Sequence, residues 1–154
     1  MKKLALANGC VALVDDADYA IARKYHWSVV SRGYAYGWVE KKKVYLHRFL
    51  LGLRAGDKRE VDHINCNILD NRRSNLRVTD HHGNKWNMRT PRTNRSGAKG
   101  VKWYASTKRW RAQIQVKKQY HHLGYFQSLD AATMAYDTAA RLYFGEFARP
   151  NVGR

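Results

Sequence analysis

The fold of this chain is decided by residues 61–87: Val-Asp-His-Ile-Asn-Cys-Asn-Ile-Leu-Asp-Asn-Arg-Arg-Ser-Asn-Leu-Arg-Val-Thr-Asp-His-His-Gly-Asn-Lys-Trp-Asn. A carboxylate and an imidazole are neighbours at Asp62 and His63. Asn75 lies twelve positions after His63, and Asn84 lies nine positions after Asn75. Carboxylate and amide oxygens are ligands for hard divalent cations, and a neutral imidazole is a base near neutral pH. The stretch therefore indicates a metal site beside a general base rather than a packed core.

The local pattern around these residues predicts a strand–loop–strand–helix unit over residues 56–93. Apolar neighbours place Asp62 and His63 at the end of one strand, and residues 76–79 alternate as a second strand. Thr79 or Asp80 then caps a helix that carries Asn84. The reactive groups are expected to converge inside this ββα arrangement.

The composition describes a folded, strongly basic protein. Hydrophobic residues make up 44% of the chain, and 29 Lys and Arg against 12 Asp and Glu give a net charge of +17. Such a field attracts polyanions, chiefly nucleic acid or an anionic membrane. No stretch approaches the roughly 18 to 20 apolar residues of a membrane span, so no membrane partner is expected. The N-terminal apolar run is short and meets acidic residues, which favours a cytoplasmic location.

Cysteine usage argues against a zinc site. The chain holds two cysteines, Cys10 and Cys66, and no Cys-x-x-Cys pair. A four-cysteine site is excluded by this count, and a mixed cysteine–histidine site lacks its usual starting motif. We expect no small-molecule cofactor, and a monomer or weak dimer.

Residues 81–129 contain no Asp or Glu and eleven Lys or Arg, interleaved with Trp86, Trp103 and Trp110. A basic run is often only a solvated face, but one this long with aromatic residues indicates a phosphate-facing surface. Three strands follow, near residues 100–103, 108–116 and 123–126. Ser128 then caps a helix that Gly145 ends. Residues 94–154 are thus predicted to form a three-stranded antiparallel sheet packed on one helix.

The first 55 residues are predicted to form a small α+β lead-in. A hairpin turns at Asn8-Gly9, and Asp15 or Asp16 caps a short helix to about Tyr25. Strands follow at 27–30 and 34–39, then a turn at 41–43 and a helix or strand-to-helix passage at 44–53. His47 lies in an apolar run and is either a hydrogen-bonded core residue or a support for the site. The fold class of the whole chain is α+β, divided at 1–55, 56–93 and 94–154.

The pattern Asp-His-x(6)-Asp-Asn-x(3)-Asn-Leu-Arg at residues 62–77, with Asn84 in the final position, resembles the HNH nuclease motif of phage and intron-encoded homing endonucleases. The resemblance implies DNA cleavage in a bacterial or phage-infected cytoplasm, with Mg²⁺ or Mn²⁺ held by Asp62 and Asn84. His63 would be the general base, and Asn75 would orient His63 or brace the loop. The support of the site would extend to His47, Asn71 and Asn87.

The run Gly-Val-x-Trp…Trp-x-Ala-x-Ile…Leu-Gly-x-Phe…Ala-Ala-x-x-Ala-Tyr-Asp, within residues 97–151, resembles the AP2 DNA-binding domain. That resemblance implies a sheet that enters the major groove of double-stranded DNA. The residues expected to contact DNA are Lys99, Lys102, Trp103, Lys108, Arg109, Arg111, Gln113 and Gln115. Lysines replace the arginine-rich first strand of plant members, so the target sequence stays open. Two functions remain: a homing-type endonuclease, or a DNA-binding transcriptional regulator that does not cut.

Overall fold

Small antiparallel sheets of two or three strands carry most of the regular structure and alternate with short helices. The computed structural model describes all residues except Ala55, His81, His82, Asn84, Lys85, Arg92, Gly153 and Arg154. The chain divides into two units, Met1–Asn84 and Lys85–Arg154. The predicted α+β class is confirmed, while the functional division at 55 and 93 stays a prediction. Of the helices in the described residues, none is long and apolar enough to cross a lipid bilayer.

The first unit is built from three sheets, β1-β2, β3-β4-β5 and β6-β7. Its elements are β1 (Lys2–Ala5), β2 (Val11–Val14), α1 (Asp16–Ala22), β3 (Trp27–Val29), β4 (Ala35–Val39), β5 (Lys42–Tyr45), α2 (Leu46–Leu50), β6 (Glu60–His63), the 3₁₀ turn Arg73–Asn75 and β7 (Leu76–Thr79). Its main core packs around Trp27, Leu46 and Val14. The predicted hairpin and the two motif strands are therefore present.

One predicted turn is displaced. The sequence predicts it at residues 41–43, but Lys42 and Lys43 belong to β5 and pair with Val39 and Trp38. The turn lies at Glu40 and Lys41, which have positive φ angles of 49° and 63°. Two successive residues with positive φ match the right-handed twist of the flanking strands, so they close a tighter hairpin than the lysine run suggests.

The lead-in holds the motif loop directly. The backbone N–H of Leu13 donates to the carbonyl of Leu69, and that of Asn71 donates to the carbonyl of Leu13, each at 2.8 Å. The Arg73 guanidinium donates to both carboxylate oxygens of Asp18 in α1, at 2.8 and 2.9 Å. Residues 1–55 are thus part of the scaffold that fixes the loop between β6 and β7.

The second unit consists of a three-stranded sheet, ordered β10-β9-β8, on one helix. Its elements are β8 (Val101–Tyr104), β9 (Arg109–Val116), β10 (Gln119–Phe126), α3 (Leu129–Phe144) and the 3₁₀ turn Gly145–Phe147. The Ser128 hydroxyl accepts from the N–H of Ala131 at 3.1 Å, which confirms the predicted cap. Gly100 has a φ of 69°, and a Cβ there would lie 2.2 Å from the Tyr136 ring, so only glycine fits.

Candidate active site

The end of β6 presents Asp62 and His63 to the loop that follows. The antiparallel register places Asp62 opposite Arg77 and His63 opposite Leu76. Arg77 donates from Nε (2.8 Å) and Nη2 (2.6 Å) to Oδ2 of Asp62. Both motif side chains are nearly inaccessible, 5% exposed for Asp62 and 4% for His63. Charge-assisted contacts of this kind fix the direction of the carboxylate, so its orientation is set before any ligand arrives.

Two asparagines of the loop have different contacts. Oδ1 of Asn71 lies 3.4 Å from Nε2 of His63, at the long end of hydrogen-bond range. Asn75 instead accepts from the backbone N–H of Asn65 at 2.9 Å and donates through Nδ2 to the carbonyl of Asp70 at 2.7 Å. Of the two alternatives that the sequence leaves open for Asn75, these contacts favour bracing the loop. Asn71 is the one that contacts the imidazole.

A second carboxylate stiffens the same loop. Asp70 is 2% exposed and accepts from Arg72 at 2.7 and 2.6 Å and from Nδ2 of Asn65 at 2.8 Å. The hydrogen bonds from Arg72 are the main reason that the pKa of Asp70 lies below its ordinary value, despite an opposing effect of burial. An ionised Asp70 therefore anchors the turn that places Asn71 beside the imidazole of His63.

Aromatic rings from the lead-in surround His63. The ring centroids of His47 and His63 are 5.3 Å apart at 84°, and those of Tyr34 and His63 are 6.1 Å apart. His47 in turn stacks on Tyr45, at 5.6 Å and 9° between the ring planes. Sequence reasoning assigns no role to Tyr34 or Tyr45, because both come from segments far from the motif in the chain. His47 lies beside the site, which agrees with the interpretation that it supports the site.

Burial keeps these histidines neutral. It lowers the pKa of His47 to about 3, with a smaller contribution from His63. Burial also lowers the pKa of His63 below 6.5, although its contact with Asn71 and the nearby Asp62 carboxylate oppose that shift. The pKa of Tyr34 is raised, first by burial and then by the charge of Asp62. An unprotonated imidazole at His63 is therefore ready to accept a proton at neutral pH.

A cleft of about 380 Å³ opens beside this cluster. It is lined by Tyr34, Tyr45 and His47 together with the side chains of Arg32 and Glu60. The cationic Arg32 and the ring edges suit a sugar–phosphate segment better than an apolar ligand. Because Tyr34 and His47 also contact the ring of His63, a strand bound in the cleft would pass the candidate base.

The donors near Asp62 limit which metal sites are feasible. No three His, Cys, Asp or Glu side chains cluster to hold a metal ion in the part of the chain that the structure describes. Amide, water and phosphate oxygens are ligands that Mg²⁺ and Mn²⁺ accept beside a carboxylate such as that of Asp62. The predicted partner Asn84 lies outside the described residues. Oδ1 of Asp80, one of the two predicted caps of its helix, accepts from the N–H of Gly83 at 2.9 Å.

In the second unit, the sheet has one polar face. Lys102 and Arg111 are cross-strand neighbours on it, and the Arg111 guanidinium lies 4.5 Å from the centroid of the Tyr104 ring. Nε of Arg111 is buried and has no hydrogen-bond partner among the described residues. Alternation places Arg109, Gln113 and Gln115 on this face as well. Five of the eight predicted DNA contacts are thus gathered on one surface.

The other three predicted contacts lie elsewhere. Trp103 pairs with Trp110 on the opposite, helix-facing side of the sheet. Lys99 precedes β8, and its Nζ donates to the carbonyl of Met88 at 3.2 Å. Lys108 is an exposed turn residue with a φ of 51°. Of the further support residues, Asn87 is buried in the second unit, so its part in the motif stays a prediction.

Comparisons with known proteins agree with the motif geometry. A protein of Acanthamoeba polyphaga mimivirus, described as an uncharacterized HNH endonuclease, is 30% identical over 152 residues, which is 96% of this chain and 78% of that protein. The chain belongs to the HNH endonuclease family. Protein 3.8 of Escherichia phage T7 is 35% identical over 89 residues, covering 58% of this chain and 73% of that protein. No family model and no solved structure matches.

Membership of the HNH endonuclease family accounts for the arrangement at the end of β6. The alignment with the mimivirus protein spans both units, but neither relative is described as having an AP2 domain, so the AP2 likeness of the second unit stays a prediction. The roles of the individual residues, the bound metal, the oligomeric state and the cytoplasmic location stay predictions.

Proposed function

We propose that this HNH-family protein is a metal-dependent DNA endonuclease of homing type that hydrolyses phosphodiester bonds. The observation that carries the proposal is the buried, neutral imidazole of His63 beside the Asp62 carboxylate, with Asn71 against its Nε2. A core without chemistry has little use for two buried polar groups on consecutive residues of one strand end. The composition of the whole chain, with its net charge of +17, suits a polyanionic substrate.

In the proposed reaction, His63 takes the proton of the attacking water. With Oδ1 of Asn71 as a hydrogen-bond acceptor, the imidazole carries its own proton on Nε2 and its lone pair on Nδ1. Nδ1 is therefore the atom that would receive the proton. Asn71 also favours the imidazolium formed in that step, since its oxygen accepts from Nε2 in both protonation states. In this proposal His63 accepts the proton and Asn71 orients its ring.

Asp62 and Asn84 are the residues proposed to hold Mg²⁺ or Mn²⁺. When bound, the ion would polarise the scissile phosphate and stabilise the departing 3′ oxygen. The contribution of the chain is to hold the Asp62 carboxylate in position, through its two contacts with Arg77. Arg77 is present in the sequence pattern without an assigned role, and its partner becomes evident only from the β6–β7 register.

Double-stranded DNA is the proposed partner of the second unit. The support is the polar face of its sheet, where Arg111 is held by Tyr104 and its Nε has no partner among the described residues. The outer nitrogens of a guanidinium held in place by a ring can donate to a phosphate oxygen or a base edge in the major groove, whereas the buried Nε is out of reach of DNA. This sheet would select the DNA site, and the motif of the first unit would make the cut.

The proposal is tested by incubating the purified protein with DNA that carries its flanking genomic sequence. We expect cleavage with Mg²⁺ or Mn²⁺, none with a chelator, and products with 5′-phosphate and 3′-hydroxyl ends. Asp62→Ala should abolish cutting. Asp16→Ala is the matched control, because that carboxylate is exposed and forms an ion pair with the N-terminal amine, far in the chain from the motif.

A non-cleaving DNA-binding regulator is the second candidate, and the polar face of the sheet alone would support it. Tight, sequence-selective DNA binding with no cutting under any divalent metal would favour the regulator. Metal-dependent cutting that Asp62→Ala removes would exclude it.

A further inference from the structure

The proposed contacts with duplex DNA use only the polar face of the second unit's sheet. The side that faces the helix carries two tryptophans. Trp103 and Trp110 are direct cross-strand partners, one pair away from Lys102 and Arg111. Adjacent pairs in a sheet point to opposite faces, so the tryptophans share the side of the buried core residue Ala112. Trp103 is nevertheless 45% exposed. An exposed indole on the helix-facing side is therefore not available to a duplex bound on the polar face.

That indole lies in a cleft of about 640 Å³. We call it the tryptophan cleft, and it is lined by Trp103, Trp110, Pro91, Arg95 and Lys102 with smaller neighbours. The Trp103 and Trp110 ring centroids are 5.2 Å apart and their planes meet at 63°, so Trp110 supports the exposed ring from its edge. Among the described residues that line the cleft there is no carboxylate, and Arg95 is its cation, because the Lys102 ammonium lies on the polar face, 6.0 Å from the centroid of the Tyr104 ring.

This combination selects a ligand with a flat ring and a negative charge. Exposed aromatic rings beside cationic side chains bind unpaired nucleic acid, since each base offers a face for stacking and each phosphate a charge. The bases of a duplex are stacked on one another and offer no such face. A volume of this size falls within the usual range for a bound small ligand or nucleotide segment.

We propose that the tryptophan cleft binds an unpaired DNA strand, with a base on Trp103 and its phosphate near Arg95. This site goes beyond the proposed function, because it adds a second DNA contact on the side of the sheet away from Arg111. A protein with both surfaces would favour DNA in which a single-stranded segment adjoins a duplex. The strand would be held by stacking and charge, without reading its sequence.

The test is a measurement of fluorescence anisotropy with a labelled short oligothymidylate, in chelator so that no strand is cut. Trp103→Ala should weaken single-strand binding by about 5- to 100-fold, the effect of losing one base–aromatic stack. Its affinity for duplex DNA should not change, which also verifies that the variant is folded. Trp103→Phe should restore most of the lost affinity. Trp38→Ala is the matched control, since Trp38 is 62% exposed on β4 of the first unit.

Two further variants separate this site from the polar face. Arg95→Ala should weaken single-strand binding and make its dependence on salt shallower by about one unit, while Arg111→Ala should affect the duplex alone. Wild-type affinity of Trp103→Ala for the oligothymidylate would overturn the proposal, as would equal losses for strand and duplex. Full competition by thymidine monophosphate at the same concentration would also overturn it in favour of a mononucleotide site. None of these readouts requires cleavage, so they are independent of the nuclease assay.

Discussion

Oδ1 of Asn71 lies 3.4 Å from Nε2 of His63, while both polar atoms of the Asn75 side chain are bonded to the backbone of the loop. The two asparagines are four positions apart, and their side chains contact different parts of the site. Asn71 contacts the imidazole, and we propose that it orients the ring and sets its tautomer. Asn75 holds the loop that carries Asn71.

Asn71→Ala should slow cleavage by about 10- to 100-fold, the usual effect of removing the group that orients a reacting imidazole. DNA affinity measured without metal should stay unchanged. The measurement is single-turnover cleavage, with Asn67→Ala as the control. Asn67 is an exposed asparagine of the same loop whose side chain accepts from the nearby N–H of Leu69. Equal losses in the two variants would show that Asn71 acts only through the loop.

Asn75→Ala should act on stability. Its side chain is 6% exposed and satisfies the N–H of Asn65 and the carbonyl of Asp70. The buried carbonyl of Asp70 would lose its partner at a cost of about 1–3 kcal/mol, while water can reach the N–H of the exposed Asn65, so the free energy of unfolding should fall by about 1–3 kcal/mol. Urea denaturation measures it. A variant as stable as the wild type but unable to cut would instead place Asn75 in the reaction itself.

His47 should make the protein less stable in mild acid. Its pKa is about 3 in the folded chain and 6.5 as the ordinary value. Below pH 6.5 the unfolded chain binds a proton that the folded one does not, so the free energy of unfolding falls as pH drops from 6.5 towards 3. The slope from one such group is at most about 1.4 kcal/mol per pH unit.

His47→Gln should flatten that slope, since glutamine cannot titrate. Urea denaturation at several pH values between roughly 4 and 7 provides the measurement, because the slope reports the difference in bound protons between the unfolded and folded chains. His26→Gln is the control, because His26 is exposed. An unchanged slope in His47→Gln would mean that the ring is already protonated in the folded chain.

Arg111→Ala should weaken the binding of double-stranded DNA and reduce the salt dependence of log affinity by about one unit if the guanidinium meets a phosphate. A titration of affinity against salt concentration gives both numbers. Arg141→Ala is matched for charge, and its side chain is exposed on α3, on the other side of the sheet. The same change in both variants would mean that Arg111 contributes only its positive charge and makes no specific contact with DNA.

The sequence predicts the local elements well wherever a short pattern determines the backbone. The strand at residues 76–79 and the serine cap before α3 are both observed, although Val78 is 40% exposed and so does not share the burial of Leu76. The turn at Glu40 and Lys41 escapes prediction because neither residue is a usual choice for positive φ. Such a turn is decided by the register of the strands on either side.

The candidate site was only partly predictable. Asp62 and His63 lie at the end of β6, as the sequence predicts from their apolar neighbours. Tyr34 and Tyr45 reach His63 and His47 only through the packing of the lead-in, and the pairing of Arg77 with Asp62 needs the β6–β7 register. Alternation in β8 places Trp103 and Lys102 on opposite faces of the sheet, and the sequence alone could have shown this. The resemblance to AP2 domains led us to expect both residues on the face that contacts DNA.

We propose that His63 accepts a proton during cleavage, and single-turnover cutting by His63→Ala measures that role. Losing a general base slows a reaction by about 10²- to 10⁴-fold, so cutting should fall by this amount while DNA binding in chelator remains at the wild-type level. His63→Gln, which fills the same space, should be equally slow and shows that the loss is not one of folding. Metal-dependent cleavage by His63→Gln at the wild-type rate would contradict the account.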